Sequence, residues 1–128
     1  MFGLNWCFQN LLKMEERSFT TNGKIWLEIN NEKVLGPGRV ELMERIHASG
    51  SIRQAAIQMK MSYKQAWELV KHINSHFSEP IVISHRGGKG GGNAIVTDNG
   101  IDLIKQFHQL KRKFEAFVRS NVIKTFSK

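Results

Sequence analysis

Apolar residues recur at three- and four-residue intervals in the middle of the chain, a spacing typical of helices that bury one side. This pattern predicts helices over about 38–48, 51–59 and 62–76. We expect the apolar sides to be Val40, Met43, Ile46 and His47, with Leu42 nearby, in the first helix; Ile52, Ala55, Ala56 and Met59 in the second; and Ala66, Leu69, Val70, Ile73 and Phe77 in the third.

The second and third predicted helices both open with Ser-x-x-Gln, at Ser51 and Ser62. In such a capping box the serine hydroxyl accepts from the backbone N–H three residues on, and the glutamine reaches back to the serine N–H. Two short helices this close together, with small residues between them, indicate a helix-turn-helix. Such a motif places its second helix in the major groove of DNA.

Alternating apolar residues predict short strands on both sides of the helices. Residues 24–29 and 33–35 should pair across Asn30-Asn31, because asparagine tolerates the positive φ of a tight turn. After the third helix, residues 81–86 and 94–96 read as a second pair.

The segment between the second pair of strands, 87–92, is Gly-Gly-Lys-Gly-Gly-Gly. A helix-turn-helix followed by a strand, a basic flexible loop and a strand is the plan of a winged helix. A disordered loop is the alternative interpretation. The sequence argues against a nucleotide-binding P-loop, because the lysine of such a loop is followed by Ser or Thr, whereas Lys89 is followed by Gly90.

A long final helix is predicted from Thr97, its N-cap, to about Val118. Its apolar residues repeat with steps of four and three, which indicates a heptad seam. We expect a dimerisation helix, and packing on the chain's own domain is the alternative. The seam residues are Leu103, Phe107, Leu110, Phe114 and Phe117.

The predicted fold is therefore mainly α with small β, a winged helix-turn-helix with a long C-terminal dimerisation helix. Residues 1–22 would be an N-terminal extension, either partly disordered or packed on the dimer. Residues 23–96 would form the DNA-binding domain, and 97–128 the dimerisation helix and tail.

The net charge of the chain and its distribution indicate what kind of partner the protein binds. The 128 residues carry a net charge of +8, which favours a polyanionic partner. Residues 1–44 hold five basic and six acidic residues, 45–92 hold seven against two, and 93–128 seven against three. The excess begins where the paired helices begin, which is the pattern of a nucleic-acid-binding protein.

Other chemistry is expected to be absent. Cys7 is the only cysteine, so a disulfide within the chain is excluded, and we expect a cytoplasmic protein. No apolar run approaches the length of a membrane span. His72 and His76 have metal-ligand spacing but lack the acidic residue of a His-Glu-x-x-His motif. We therefore predict no metal site, no cofactor, no membrane partner and no enzymatic activity.

The third helix is the candidate recognition helix, and its first residues are the ones expected to meet base edges. Tyr63, Trp67 and Lys71 share one side of it. For Trp67, packing in the core against the wing is the alternative interpretation. The predicted DNA-binding residues are Arg53, Ser62, Tyr63, Lys64, Gln65, Trp67 and Lys71 on the helices and Arg86 and Lys89 in the wing.

Three segments together resemble the DNA-binding domain of ModE-type molybdate-responsive transcriptional regulators. They are Gly-Ser-Ile-Arg-Gln-Ala-Ala at 50–56, Met-Ser-Tyr-Lys-Gln-Ala-Trp at 61–67 and Arg-Gly-Gly-Lys-Gly-Gly-Gly-Asn-Ala at 86–94. The first is shared with LysR-type regulators, and the other two are specific. The resemblance implies a dimeric winged helix that binds a palindromic operator. No residues match the molybdate-binding module of that family, so we do not expect molybdate to bind this chain.

We therefore predict a sequence-specific transcriptional regulator that binds double-stranded DNA as a homodimer. The alternative is a winged-helix module that binds a protein and no DNA. An RNA-binding role is a weaker interpretation, because only Tyr63 and Trp67 offer aromatic rings for bases to stack on.

Overall fold

Strands flank a group of three helices, and a long helix follows them, in the order that the sequence predicts. The computed structural model describes residues 19–85 and 93–123. Within these ranges the fold is mainly α with small β, as predicted. The elements are β1 Leu27–Ile29, β2 Glu32–Leu35, α1 Pro37–Ser49, α2 Ile52–Gln58, α3 Tyr63–Ser75, β3 Val82–His85, β4 Asn93–Val96 and α4 Asp98–Ser120.

The described residues fall into two compact units. One runs from Ile25 to Arg112, and the other includes residues 19–24 and 113–123. The core lies in the larger unit and brings together apolar residues from α1, α2, α3, both strand pairs and α4. Among the residues that the structure describes, no helix combines the length and apolar character that spanning a membrane requires.

The β1–β2 hairpin confirms the predicted turn. Asn30 and Asn31 have φ values of 51° and 65°, the left-handed conformation that a two-residue hairpin turn requires and that asparagine tolerates. The strands are antiparallel, with Ile29 opposite Glu32 and an irregularity in the register between Leu27 and Glu28. The first strand begins at Leu27, later than predicted.

Helix α1 begins with Pro37 in its first turn and ends at Gly50, whose φ is 68°. The Gly50 N–H donates to the Ile46 carbonyl at 2.8 Å, so a glycine supplies the left-handed end of the helix. His47 is exposed, and its prediction on the apolar side was wrong. Leu42 is buried there, because leucine loses no hydrogen bonds to water on burial and an imidazole does.

The turn between α2 and α3 is closed by backbone hydrogen bonds. The Lys60 N–H donates to the Ile57 carbonyl and the Met61 N–H to the Ala56 carbonyl, at 3.1 and 3.0 Å, which is a Schellman arrangement. Lys60 itself has a φ of 56°, a conformation that usually falls to glycine. This turn brings α3 against α2 and completes the helix-turn-helix.

Both predicted serine caps are formed, but the reciprocal glutamine bonds of a capping box are not seen among the described residues. The Ser51 hydroxyl accepts from the Gln54 N–H at 3.1 Å, and the Ser62 hydroxyl from the Gln65 N–H at 3.0 Å. Within the described ranges neither glutamine side chain returns a bond to its serine, so the prediction of complete capping boxes was wrong. The serine bond alone satisfies one of the unpaired N–H groups of each helix.

The second strand pair joins the end of α3 to α4. Val82 pairs with Val96 and His85 with Asn93 in an antiparallel register. Thr97 confirms its predicted capping role, because its Oγ1 accepts from the Gly100 N–H at 3.3 Å. Helix α4 then extends to Ser120, two residues beyond the predicted end.

Candidate nucleic-acid interface

Helix α3 has one side in the core and the other in solvent. Ala66, Val70 and Ile73 are buried, and Leu69 and Phe77 are partly buried against the same core, as the sequence predicts. The opposite side carries Tyr63, Lys64, Gln65, Trp67 and Lys71, all exposed. The fold therefore presents all five predicted contact residues of this helix to solvent.

Two residues on this side, Trp67 and Lys71, contact each other. Trp67 is 38% exposed, so it does not lie in the core, the alternative considered for it. The Lys71 Nζ lies 5.3 Å from the centre of the Trp67 ring, within the range of a cation–π interaction. This contact holds the lysine along the helix and leaves its charge accessible.

The start of α3 brings the Gln65 amide side chain beside the backbone N–H groups of the first turn. Ser62 caps the helix through its hydroxyl, and backbone N–H groups at a helix N-terminus favour an anion such as phosphate. Because the Gln65 side chain does not take part in the cap, its amide is available to pair with a base edge. Arg53, on α2, is also exposed.

Lys60 is a further exposed cation, and sequence reasoning did not identify it. Lys60 is exposed in the turn between α2 and α3, close in sequence to Lys64. The available signal is a lysine in the turn of a helix-turn-helix. Lys60 also has a positive φ, which is uncommon for residues other than glycine, so a lysine at this position is unexpected from conformation alone.

Two polar links attach the second strand pair to the helices. The Ala94 N–H donates to the Gly50 carbonyl at 2.8 Å, and the Asn74 side chain bonds the backbone of Ile81 and Val82. Sequence reasoning did not identify Asn74. The predicted wing residues Arg86 and Lys89 lie outside the described residues.

A group of ionisable side chains lies where β2 meets α3. The His72 Nε2 is 2.5 Å from Glu32 Oε1, and the His76 Nε2 is 3.6 Å from Glu32 Oε2. The hydrogen bond with His72 is the main influence that lowers the pKa of the Glu32 carboxyl. Desolvation opposes it, and the nearby His72, His76 and Arg39 lower it further. Sequence reasoning missed this group, because Glu32 lies 40 residues from His72.

The predicted seam on α4 does not lie on one free surface. Phe107 is only 1% exposed and belongs to the chain's own core, and Leu103 packs against that core. Leu110 and Phe117 are 43% and 63% exposed. In the smaller unit the Phe114 ring lies close to Gly23, where an added Cβ would come within 2.8 Å of it. For Leu103 and Phe107 the packing alternative is therefore the correct one.

Curated relatives match over 60 to 73% of the chain. The molybdenum-pterin-binding protein MopA of Rhodobacter capsulatus is 42% identical over 77 residues. The transcriptional regulator ModE of Haemophilus influenzae is 35% identical over 96 residues, and the DNA-binding transcriptional dual regulator ModE of Escherichia coli is 36% identical over 84. This chain is a homologue of the ModE-type regulators. The predicted resemblance is confirmed.

The ModE-type relatives are longer than this chain. The matches cover 60%, 73% and 66% of the chain but 29%, 38% and 32% of those three relatives. The chain thus spans about a third of the length of the curated relatives it matches. No protein-family model matches it.

A solved structure supports the fold assignment. Lactococcus lactis ZitR, as its E41A mutant, aligns with a TM-score of 0.50 over 92% of this chain and 79% of that one, at 11% identity. Together with the element order, this likeness confirms a winged helix-turn-helix with a long C-terminal helix.

Proposed function

We propose that this chain is a sequence-specific DNA-binding transcriptional regulator. The exposed side of α3, which follows the turn of a helix-turn-helix and carries Lys64, Gln65, Trp67 and Lys71, is the observation that carries the proposal. The net charge of +8 and the similarity to proteins named as transcriptional regulators support it.

In the proposed complex, α3 lies in the major groove with its N-terminal end nearest the bases. Lys64 donates to guanine O6 and N7 or to a phosphate, and Gln65 pairs with an adenine edge. The N–H groups beside Ser62 bind a phosphate. Lys71 and Arg53 contribute charge, and Tyr63 and Trp67 pack their rings against sugars or thymine methyl groups.

The loop between β3 and β4 is the proposed wing. Its residues Arg86 and Lys89 would bind phosphates beside the major-groove contact, because glycines on both sides let the backbone approach the DNA closely. The bond from the Ala94 N–H to the Gly50 carbonyl supports this role, since it ties β4 to the helix-turn-helix.

The proposed active form is a cytoplasmic homodimer. A dimer of helix-turn-helix proteins reads two half-sites about 34 Å apart, one turn of DNA. Among the seam residues on α4, Leu110 and Phe117 are exposed and can therefore contact a second copy of the chain. Phe107 supports the helix from within the core instead.

Fluorescence anisotropy with labelled duplexes tests the proposal. A duplex selected from random DNA should bind at least about a thousandfold more tightly than an unselected one. If six or so phosphates are neutralised, log K should fall with log salt at a slope of roughly −5. Equal affinity for all duplexes, or a flat salt response, would favour the alternative, a winged-helix module that binds a protein.

A further inference from the structure

We propose that Glu32, His72 and His76 form a binding site for a divalent transition metal of the zinc class. Glu32 begins β2, His72 lies in the last turn of α3, and His76 is the C-cap residue that follows this helix. One ligand atom from each lies within 4.8 Å of the others. The proposal concerns metal binding alone and does not depend on DNA binding.

The arrangement of donor atoms fits one ion. His72 Nε2 and His76 Nε2 flank the two oxygens of Glu32, at 2.5 and 3.6 Å. Ligand atoms on one tetrahedral zinc ion are about 3.3 Å apart, as bond lengths near 2 Å require. Small rotations of the glutamate and the His72 ring would bring the three atoms to that spacing. Glu32 is exposed, so its side chain can make such a rotation.

His76 supplies the second observation in favour of a ligand. Its side chain is only 15% exposed, and its Nε2 is buried with no hydrogen-bond partner among the described residues. A buried polar atom without a partner costs free energy. A metal ion between His76 and Glu32 would satisfy this nitrogen.

Arg39 contacts His72, so its hydrogen bonds affect whether His72 can bind a metal ion. Its Nη1 donates to the carbonyls of Lys33 and Val34 at 2.8 and 3.0 Å and lies 3.2 Å from His72 Nδ1. A guanidinium Nη1 carries two hydrogens, and the two carbonyls already accept them. The contact with His72 is therefore the most dispensable of the three. When Nε2 binds the metal, Nδ1 carries the proton and would face another donor, so the His72 ring turns away from Arg39, which keeps its two carbonyl bonds.

Two imidazoles and a carboxylate select the class of metal. Zinc and its neighbours prefer imidazole nitrogen, whereas Mg²⁺ and Ca²⁺ prefer oxygen ligands. Three protein ligands leave a fourth position for water. We therefore expect Zn²⁺ and Co²⁺ to bind, with no competition from Mg²⁺.

Zinc titration of the full chain, freed of metal by a chelator, tests the site. A Cys7→Ser background removes the only thiol, and calorimetry then reports the Zn²⁺ affinity, with Co²⁺ absorption reporting its ligands. Glu32→Gln and His76→Gln should each weaken binding at least about tenfold. Zinc should also raise the midpoint of thermal unfolding in the parent and not in these variants.

His108→Gln is the matched control. His108 Nε2 lies 2.5 Å from Glu44 Oε1, so it belongs to a histidine–glutamate pair of the same kind, and no third ligand joins this pair among the described residues. This variant should bind zinc like the parent. Equal affinity in all variants, or an equal loss in His108→Gln, would overturn the proposal. If His76→Gln does not fold, the exposed Glu32→Gln decides the question alone.

Discussion

The side-chain amide of Asn74 binds both backbone polar groups of Val82. Its Nδ2 donates to the Val82 carbonyl at 2.8 Å, and its Oδ1 accepts from the Val82 N–H at 3.1 Å. The same oxygen accepts from the Ile81 N–H at 2.9 Å. One side chain near the end of α3 thus fixes the start of β3, so the position of the strand pair depends on α3.

Asn74→Ala should lower the free energy of unfolding by about 2 kcal/mol, because it leaves backbone groups at partly buried positions without partners. Urea unfolding measures the change. Asn99→Ala, which truncates an exposed asparagine on α4, should stay within about 0.5 kcal/mol of wild type. Equal effects of the two substitutions would show that the Asn74 bonds contribute no net stability.

Gly100→Ala should be destabilising by about 1–3 kcal/mol, the usual cost of overpacking. A Cβ at Gly100 would lie 2.7 Å from Val96 Cγ1 and 2.8 Å from the Ile81 carbonyl oxygen, and a backbone atom cannot yield as a flexible side chain does. Thermal unfolding reports the loss. Gly38→Ala is the control: it lies in α1 with no atom within 4 Å of an added Cβ, so it should stabilise by about 0.5–1 kcal/mol. A neutral Gly100→Ala would contradict the packing at this position.

Lys64→Ala should weaken binding to the selected duplex by about 1–3 kcal/mol and relax the base preference at one position, if Lys64 contacts a guanine. Anisotropy with single-base variants of the duplex measures both effects. Lys105→Ala removes an exposed lysine of α4 and should leave base preference unchanged. A loss that is equal on selected and random DNA would make Lys64 a phosphate contact only.

Leu110→Ser combined with Phe117→Ser should convert the proposed dimer to a monomer with little loss of stability, since both side chains are exposed. Light scattering over a range of concentrations measures the mass. Phe107→Ala should instead cost about 3–5 kcal/mol of stability, as expected for an aromatic residue removed from a core. A wild-type chain that stays monomeric at every concentration would rule out the proposed homodimer.

Metal-free stability should depend on Glu32 in a defined pH range. The pKa of Glu32 in the folded chain lies below its ordinary value of 4.5. A carboxyl with a lowered pKa stabilises the fold fully above its unfolded value and loses that contribution as pH falls through the folded value. The stability difference between wild type and Glu32→Gln should therefore shrink as the pH falls below about 4.5.

Urea unfolding in EDTA at several pH values measures this difference. Glu79→Gln removes another exposed glutamate and serves as the control. A stability difference between wild type and Glu32→Gln that stays constant at all pH values would show that ionisation of Glu32 does not stabilise the fold.

Local signals made most of the fold predictable. The caps and turns depend on groups only a few residues apart, as at Ser62, Gly50 and Asn30-Asn31. A short stretch of sequence therefore contains everything that each of these features needs. The apolar stripe of α3 is equally local and correctly indicates which side is exposed. That exposed side supplies most of the candidate site.

Features that join distant elements were not predictable. Glu32 and His72 are 40 residues apart, and no periodicity connects a hairpin residue to a helix. Phe107 fits a heptad pattern, but the pattern is the same whether the residue packs on its own core or on a second chain. Only the packed structure separates these two cases.

The bond from the Ala94 N–H to the Gly50 carbonyl limits which substitutions could change the proposed DNA preference without disturbing the fold. Gly50 sets the left-handed turn that leads into α2, and its carbonyl also holds β4. A substitution that changes this turn would therefore displace α2 and β4 together. A designer who wishes to alter the proposed DNA preference should replace side chains on α3 and leave Gly50 in place.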